Sequence, residues 1–390
     1  MRKYYMKAKL GAKYWPPTKI AWITSGGPVE LLIAMGITPI YPENHGAMIG
    51  VRKMGVELAS EAEKLGYSQD LCSYFRADVG QTVTGNSPIG GLPKPDFLLC
   101  CNNICGTVMK WYEVQARYFN VPLIFIDTPY NYDGITDELL TYVKEQFEAA
   151  IPEIEKASGR RFSEKKLLQV GDYANQGIKL WNRILSLCET VPAPMTCFDA
   201  FIYLAPIVTL RGTKIMVDAY TQLEKELREL ADKKVSAIGE EKYRLIWDNL
   251  PIWFKMRRLS HTFANYGACL VADTYTNAWA DNDFTESSFD NMARAYAAAY
   301  LNRNLEEKVE IMCKLIARYK ADGFVMHSNR SCRPYSFGQY DIKDEVSRRT
   351  GLPGLMIESD MCDTRAYSDE QSENRIQAFM ETLKERKTAS

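Results

Sequence analysis

Short apolar runs alternate with stretches of helical period along nearly the whole chain. KIAWIT (19–24) reads as a strand, and GGPVELLIAMG (26–36) as a helix with Pro28 in its first turn. ITPIYP (37–42) is extended again, and 46–66 returns to helical period. The pattern continues as a strand over 96–101, a helix over roughly 106–119 and a strand over 121–127. On that helix Val108, Tyr112, Gln115/Ala116 and Phe119 recur at helical spacing. Long charged helical patterns dominate 136–235. A second strand-and-helix stretch follows, with YRLIW (243–247), ACLVAD (268–273), DGFVMH (322–327) and GLMIES (354–359), before a last helix over 369–387.

Alternation of this kind predicts an α/β protein with parallel sheets covered by helices on both faces. The expected organisation is an N-terminal α/β domain (1–135) carrying Cys72 and Cys105, a mainly helical region (136–238), and a C-terminal α/β domain (239–390) carrying Cys332. The two α/β stretches echo one another. KPDFLLCCNNIC and KADGFVMHSNRSC each place an Asp ahead of an apolar strand and end an Asn-containing loop on Cys, nine residues after Asp96 and ten after Asp322. If the echo is structural, Cys105 and Cys332 occupy equivalent places at the carboxyl ends of parallel strands, where open α/β sheets bind ligands.

Composition narrows the partners. With 390 residues the chain exceeds one comfortable core. Its 48 Lys and Arg against 49 Asp and Glu give no electrostatic reason to expect nucleic acid or an anionic membrane. No run of ~18 apolar residues is present to span a bilayer. The basic, aromatic N-terminal stretch lacks the apolar core of a signal peptide, so a cytoplasmic protein is expected.

Ten cysteines in a reducing compartment call for a reason. Cys188, Cys197, Cys269 and Cys313 sit in or beside apolar runs and read as core. Cys72, Cys100, Cys101, Cys105, Cys332 and Cys362 lie beside polar or turn-forming residues. Structural zinc is disfavoured, because the chain has no CxxC pair. A nucleophilic thiol would want a base, for which His327 stands five residues before Cys332. An iron–sulfur cluster can draw thiolates from loops far apart in sequence, and Cys72, Cys105 and Cys332 each sit at an apparent element end. On spacing alone, three ordinary loop cysteines remain the plainest reading.

TSGGPVELL, IYPENHGAMIG, LCSYFRADVG, CCNNICGTVMKWYE, DTYTNAW, HSNRSCRPYSFGQ and IESDMCDTR occur in that order. Together they resemble the 2-hydroxyacyl-CoA dehydratase and benzoyl-CoA reductase family, most of all the α-type, substrate-activating subunit of the dehydratases. The resemblance runs along nearly the whole chain. It implies two flavodoxin-like, doubly wound parallel-sheet domains joined by a helical region, and a heterodimer with a homologous β subunit. It also implies a 4Fe–4S cluster in each subunit, held by three cysteines with one iron open to water or substrate. A separate ATP-hydrolysing iron–sulfur activator would inject one electron. The implied ligands are Cys72, Cys105 and Cys332. Cys100 and Cys101 are then the end of a strand, Cys101 being the nearest candidate for a fourth ligand, and Cys362 packs behind the site.

The resemblance further implies water elimination from an (R)-2-hydroxyacyl-CoA through a ketyl radical, with the electron returned. It places Ser25 and Glu43 at the open iron, Glu43 to handle the hydroxyl or its proton and Ser25 to position. His45 is close enough in sequence to share that work. Glu43 itself reads as lying in a loop after a strand. Arg330 and Arg333 flank Cys332 and would moderate cluster charge, meet CoA phosphates, or simply be solvated. No GxGxxG follows a strand and no P-loop occurs, in keeping with ATP being spent on another polypeptide. The alternatives are a subunit reducing an aromatic acyl-CoA, a non-catalytic electron carrier, and a metal-free α/β binding protein.

Overall fold

The computed structural model describes residues 2–12, 17–280 and 289–389. The chain divides into two compact units. One comprises Met1–Ile178, Ala205–Val217 and Asn282–Asn304, the other Lys179–Leu204, Asp218–Asp281 and Leu305–Ser390. The helical stretch expected over 136–238 carries the helices Asp137–Ser158, Glu164–Ser186 and Lys214–Asp232, and its residues are shared between the units.

The first unit holds the strands β1 (Ile20–Ile23), β2 (Thr38–Ile40), β3 (Phe97–Cys101) and β4 (Leu123–Ile126), all parallel, in the order β2-β1-β3-β4. The second holds β5 (Tyr243–Asp248), β6 (Ala268–Asp273), β7 (Gly323–Asn329) and β8 (Gly354–Ser359), again parallel, in the order β6-β5-β7-β8. Both follow the 2-1-3-4 order of flavodoxin-like sheets. Every residue of β1 and β3, the central strands of the first sheet, is buried, as expected with helices on both faces.

The sequence echo is structural. Asp96 donates its backbone N–H to the Ile20 carbonyl, and its carboxylate accepts the Ile20 N–H, both at 2.8 Å. Asp322 repeats this on Arg244, at 2.7 and 2.8 Å. In each unit an aspartate ahead of the third strand locks the register of the first. The carboxylate supplies an acceptor at a strand end, where the ladder otherwise leaves an N–H without one.

Three expectations are corrected. The stretch 46–66 is two helices rather than one: α1 (Pro42–Val51) and a second over Gly55–Lys64, separated where Lys53 takes φ 58. Glu43 therefore lies in the first turn of α1 and not in a loop. Pro42 occupies the first helical position, where its missing N–H costs nothing. Of the cysteines read as core, Cys188, Cys197 and Cys269 are buried, whereas Cys313 is only half-buried.

Candidate active site

In a sheet of order 2-1-3-4 the chain leaves β1 and β3 in opposite directions, opening a crevice at their carboxyl ends. The loop after β1 carries Ser25, and the loop after β3 carries Cys105. The two asparagines of CNNIC stitch this crevice together. Asn102 accepts the Thr128 N–H and donates to Asp127, each at 2.6 Å. Asn103 is buried and donates to the carbonyls of Gly26 (2.9 Å) and Tyr296 (3.0 Å). Its Oδ1 is buried with no partner among the described residues. Gly26 permits this close approach, since a Cβ there would lie 2.5 Å from Ile104 Cγ2 and 2.9 Å from Asn103 Oδ1. Beneath the Ser25 loop, buried Arg211 bonds Glu30 at 2.9 Å and the Gly27 carbonyl at 3.2 Å.

Glu43 reaches the same crevice from α1. Its Oε1 accepts the Ser25 backbone N–H at 3.1 Å, and its Oε2 accepts the Tyr112 hydroxyl at 3.3 Å. Enclosure by protein pushes its carboxyl up to about 7. The N–H groups of Glu43 and Ser25 and the Tyr112 hydroxyl oppose this, while the nearby Asp78 charge adds to it. A carboxyl so placed exchanges its proton near neutrality. The Ser25 hydroxyl has no partner among the described residues and remains available to a ligand.

Cys105 lies two residues before α3 (Thr107–Phe119), next to its N-cap Gly106. Burial pushes its thiol up, opposed by the N–H groups of Val108 and Thr107, with a further upward push from the Glu43 charge. Cys72 is the N-cap of α2 (Ser73–Thr84). Six residues into α2, fully buried Asp78 accepts Trp111 Nε1 and Gln115 Nε2 of α3, both at 2.7 Å. The helices following Cys72 and Cys105 are thus tied side by side. Burial pushes the Asp78 carboxyl up to about 7, against the opposing bonds of Trp111, Gln115 and Gln81.

The remaining predicted residues are placed as follows. His45 lies on α1 but takes other partners than Glu43: its Nε2 is 2.7 Å from the Ser87 hydroxyl, and burial pulls its imidazole down to about 3. Cys100 and Cys101 end β3 and are fully buried, with the Cys101 sulfur 3.4 Å from the Thr128 hydroxyl. Burial pushes the Cys101 thiol up to about 11. In the second unit Cys332 lies three residues past β7, its N–H on the Asn329 carbonyl at 3.1 Å. Adjacent Ser331 donates to Asp360, whose other oxygen accepts the N–H groups of Cys362 and Asp363 at 2.8 Å. Cys362 is completely buried, while Arg330 and Arg333 are exposed. His327 is buried within β7 with Nδ1 at 2.7 Å from the Leu250 carbonyl, and burial pulls it down to about 4. Such an imidazole is neutral near pH 7.

Tyr112 and Asp78 carry site geometry that the sequence pattern did not single out. Tyr112 reads as one more apolar-face residue of a helix, and Asp78 as one more charge. The available signal was Gln115, a polar residue one helical turn after Trp111 on a face that is otherwise apolar.

Among the described residues no three His, Cys, Asp or Glu side chains are gathered as a metal-holding group. The donor chemistry nevertheless fits thiolate ligation. Cys72, Cys105 and Cys332 each stand at an element end, and the N–H groups of Thr107 and Val108 partly offset the burial that pushes the Cys105 thiol up. No helix among the described residues is long and apolar enough to cross a membrane.

Comparison with known proteins adds an independent result. The sequence profile of the family described as 2-hydroxyglutaryl-CoA dehydratase, D-component, matches residues 24–383. The chain is 38% identical over 371 residues to the (R)-2-hydroxyisocaproyl-CoA dehydratase alpha subunit of Clostridioides difficile, covering 94% of this chain and 91% of that one. It is 34% identical to lactoyl-CoA dehydratase subunit alpha of Anaerotignum propionicum, with 93% and 90% covered. It is also 30% identical to a benzoyl-CoA reductase subunit of Thauera aromatica, with 93% and 88% covered.

Proposed function

Because this chain belongs to the 2-hydroxyglutaryl-CoA dehydratase D-component family, we propose that it is the α-type, substrate-activating subunit of an (R)-2-hydroxyacyl-CoA dehydratase. Its partners are a homologous β subunit and a separate ATP-hydrolysing iron–sulfur activator, and its substrate is a 2-hydroxyacyl-CoA. The observation that carries the reading is the meeting of Ser25, Glu43 and Tyr112 beside Cys105 in the crevice of the first sheet.

Cys72, Cys105 and Cys332 would hold a 4Fe–4S cluster with one iron left open. When bound, the cluster supplies a Lewis-acidic iron for the thioester oxygen and an entry for the single electron that makes the acyl group a ketyl radical.

The chain's own residues handle the rest. Glu43 is protonated in a substantial fraction of molecules near neutral pH, because burial disfavours its anion. It delivers that proton to the departing hydroxide, so water leaves rather than a charged group. Ser25 N–H and Tyr112 hydroxyl stay bonded to the carboxylate that results, ready for the next proton. The Ser25 hydroxyl offers a donor to the substrate oxygen. The loop that presents it is fixed from below by Arg211 and from the side by Asn103.

The test begins with iron and sulfide analysis after anaerobic purification. The complex with β subunit, activator, ATP and reductant is then incubated with 2-hydroxyacyl-CoA and, separately, with benzoyl-CoA. Formation of 2-enoyl-CoA without net consumption of reductant is expected. Ring reduction without any enoyl-CoA would replace the reading by that of an aromatic acyl-CoA reductase. A chain free of iron would end both.

A further inference from the structure

Lys308, on α4 (Leu305–Arg318), is a buried lysine in the second unit that the proposed chemistry leaves unused. Its side chain is 8% exposed, and its Nζ donates to the Pro334 carbonyl at 3.2 Å. Pro334 lies two residues past Cys332, which is itself 9% exposed. A carbonyl is a neutral acceptor and does not offset the desolvation of an ammonium; a buried cation needs an anion.

Two groups act on Lys308 in that sense, Asp248 and Cys332. Asp248, at the end of β5, already accepts the Thr274 hydroxyl at 2.8 Å and Gln339 Nε2 at 3.2 Å. Burial pulls Lys308 below the usual lysine range, and the nearby Asp248 and Cys332 oppose that pull. Lys308, Asp248 and Cys332 all belong to the same unit, so this arrangement is internal to it.

We propose that Lys308 is a charge-tuning, positioning residue for the iron–sulfur cluster assigned above to Cys332, its fixed positive charge favouring the electron-rich state. The inference rests on that assignment. Three thiolates make a cluster anionic, and each added electron makes it more so. A cation within the low-dielectric interior lowers the cost of that electron, because Coulomb energies there are weakly screened. A lysine acting only as a tie to Pro334 would leave the potential where it was.

The test uses the full chain, reconstituted anaerobically with ferrous iron and sulfide, with iron content and an EPR-monitored redox titration as readouts. Lys308→Gln keeps a donor for Pro334, Lys308→Met keeps the volume, and Lys308→Arg keeps the charge. For Gln and Met the expected result is wild-type iron content with the reduced-to-oxidised ratio at fixed potential lowered about tenfold, a 59 mV fall for one electron. Arg should match the wild type. Loss of the cluster in Gln and Met but not in Arg would also support a charge requirement. An unchanged potential in iron-replete Gln and Met variants, or loss of the cluster in Arg as well, would overturn the role of Lys308 alone. A wild-type chain that takes up no iron would overturn the cluster assignment itself.

Discussion

The backbone N–H of Ser25 donates to Glu43 Oε1 at 3.1 Å, tying the loop after the first strand to the first turn of α1. This bond makes one site of two segments that the sequence separates by a strand and a helix. It also means that Ser25 contributes through two groups, its N–H to Glu43 and its hydroxyl to whatever enters the crevice.

Glu43→Gln keeps the shape and the hydrogen-bond acceptor but removes the exchangeable proton. Turnover of the complex should fall by at least ~100-fold, the usual size of a lost general acid. Iron content and cluster absorption should stay at the wild-type level. Survival of turnover would remove Glu43 from the reaction.

Single Cys→Ser substitutions separate ligands from bystanders. Cys72→Ser, Cys105→Ser and Cys332→Ser are each expected to lower iron and sulfide bound after anaerobic reconstitution. Cys101→Ala should not, because that sulfur ends a strand and faces Thr128. Iron loss in Cys101→Ala would make it a fourth ligand.

Gly26→Ala would force a methyl into Ile104 and Asn103, which carry the loop to Cys105. Overpacking of this sort costs about 1–3 kcal/mol. Chemical denaturation should show that loss, and iron binding should weaken with it. A variant with wild-type stability would show that the loop yields without cost.

Asp78 sets a pH dependence whose sign follows from its raised pKa. The native carboxyl ionises near 7 and the unfolded one near its ordinary value of 3.8, so the native state binds more protons between those limits. Its contribution to stability is therefore full below about 3.8 and is lost as pH rises to about 7. Asp78→Asn cannot ionise. Its stability deficit relative to wild type should narrow, by up to a few kcal/mol, between pH 4.5 and pH 7.5 in urea denaturation. A constant deficit would show that Asp78 stays ionised in the fold.

Much of the fold was legible because strand and helix periods were clean. ACLVAD and GLMIES coincide with β6 and β8, and the paired Asp-strand-Asn-Cys strings marked the third strand of each unit. The helix start at Pro42 was not legible, because YPENHG also suits a loop and nothing local distinguishes the two. The break at Lys53 was hidden for a related reason: a lysine in the left-handed region gives no compositional warning.

The sequence by itself determined the α/β alternation, the repeated unit and the family, since these depend on local period and on strings of neighbouring residues. Only the tertiary structure decided that Ser25, Glu43, Tyr112 and Cys105 share one crevice while His45, two residues from Glu43, takes Ser87 instead. The reason is geometric. Two residues along an α-helix turn the side chain through roughly 200°, so neighbours in sequence face opposite ways. Desolvation follows the same rule. The charge of Glu43, Asp78 or Lys308 is set by what surrounds it in space, which residue type and spacing along the chain do not record.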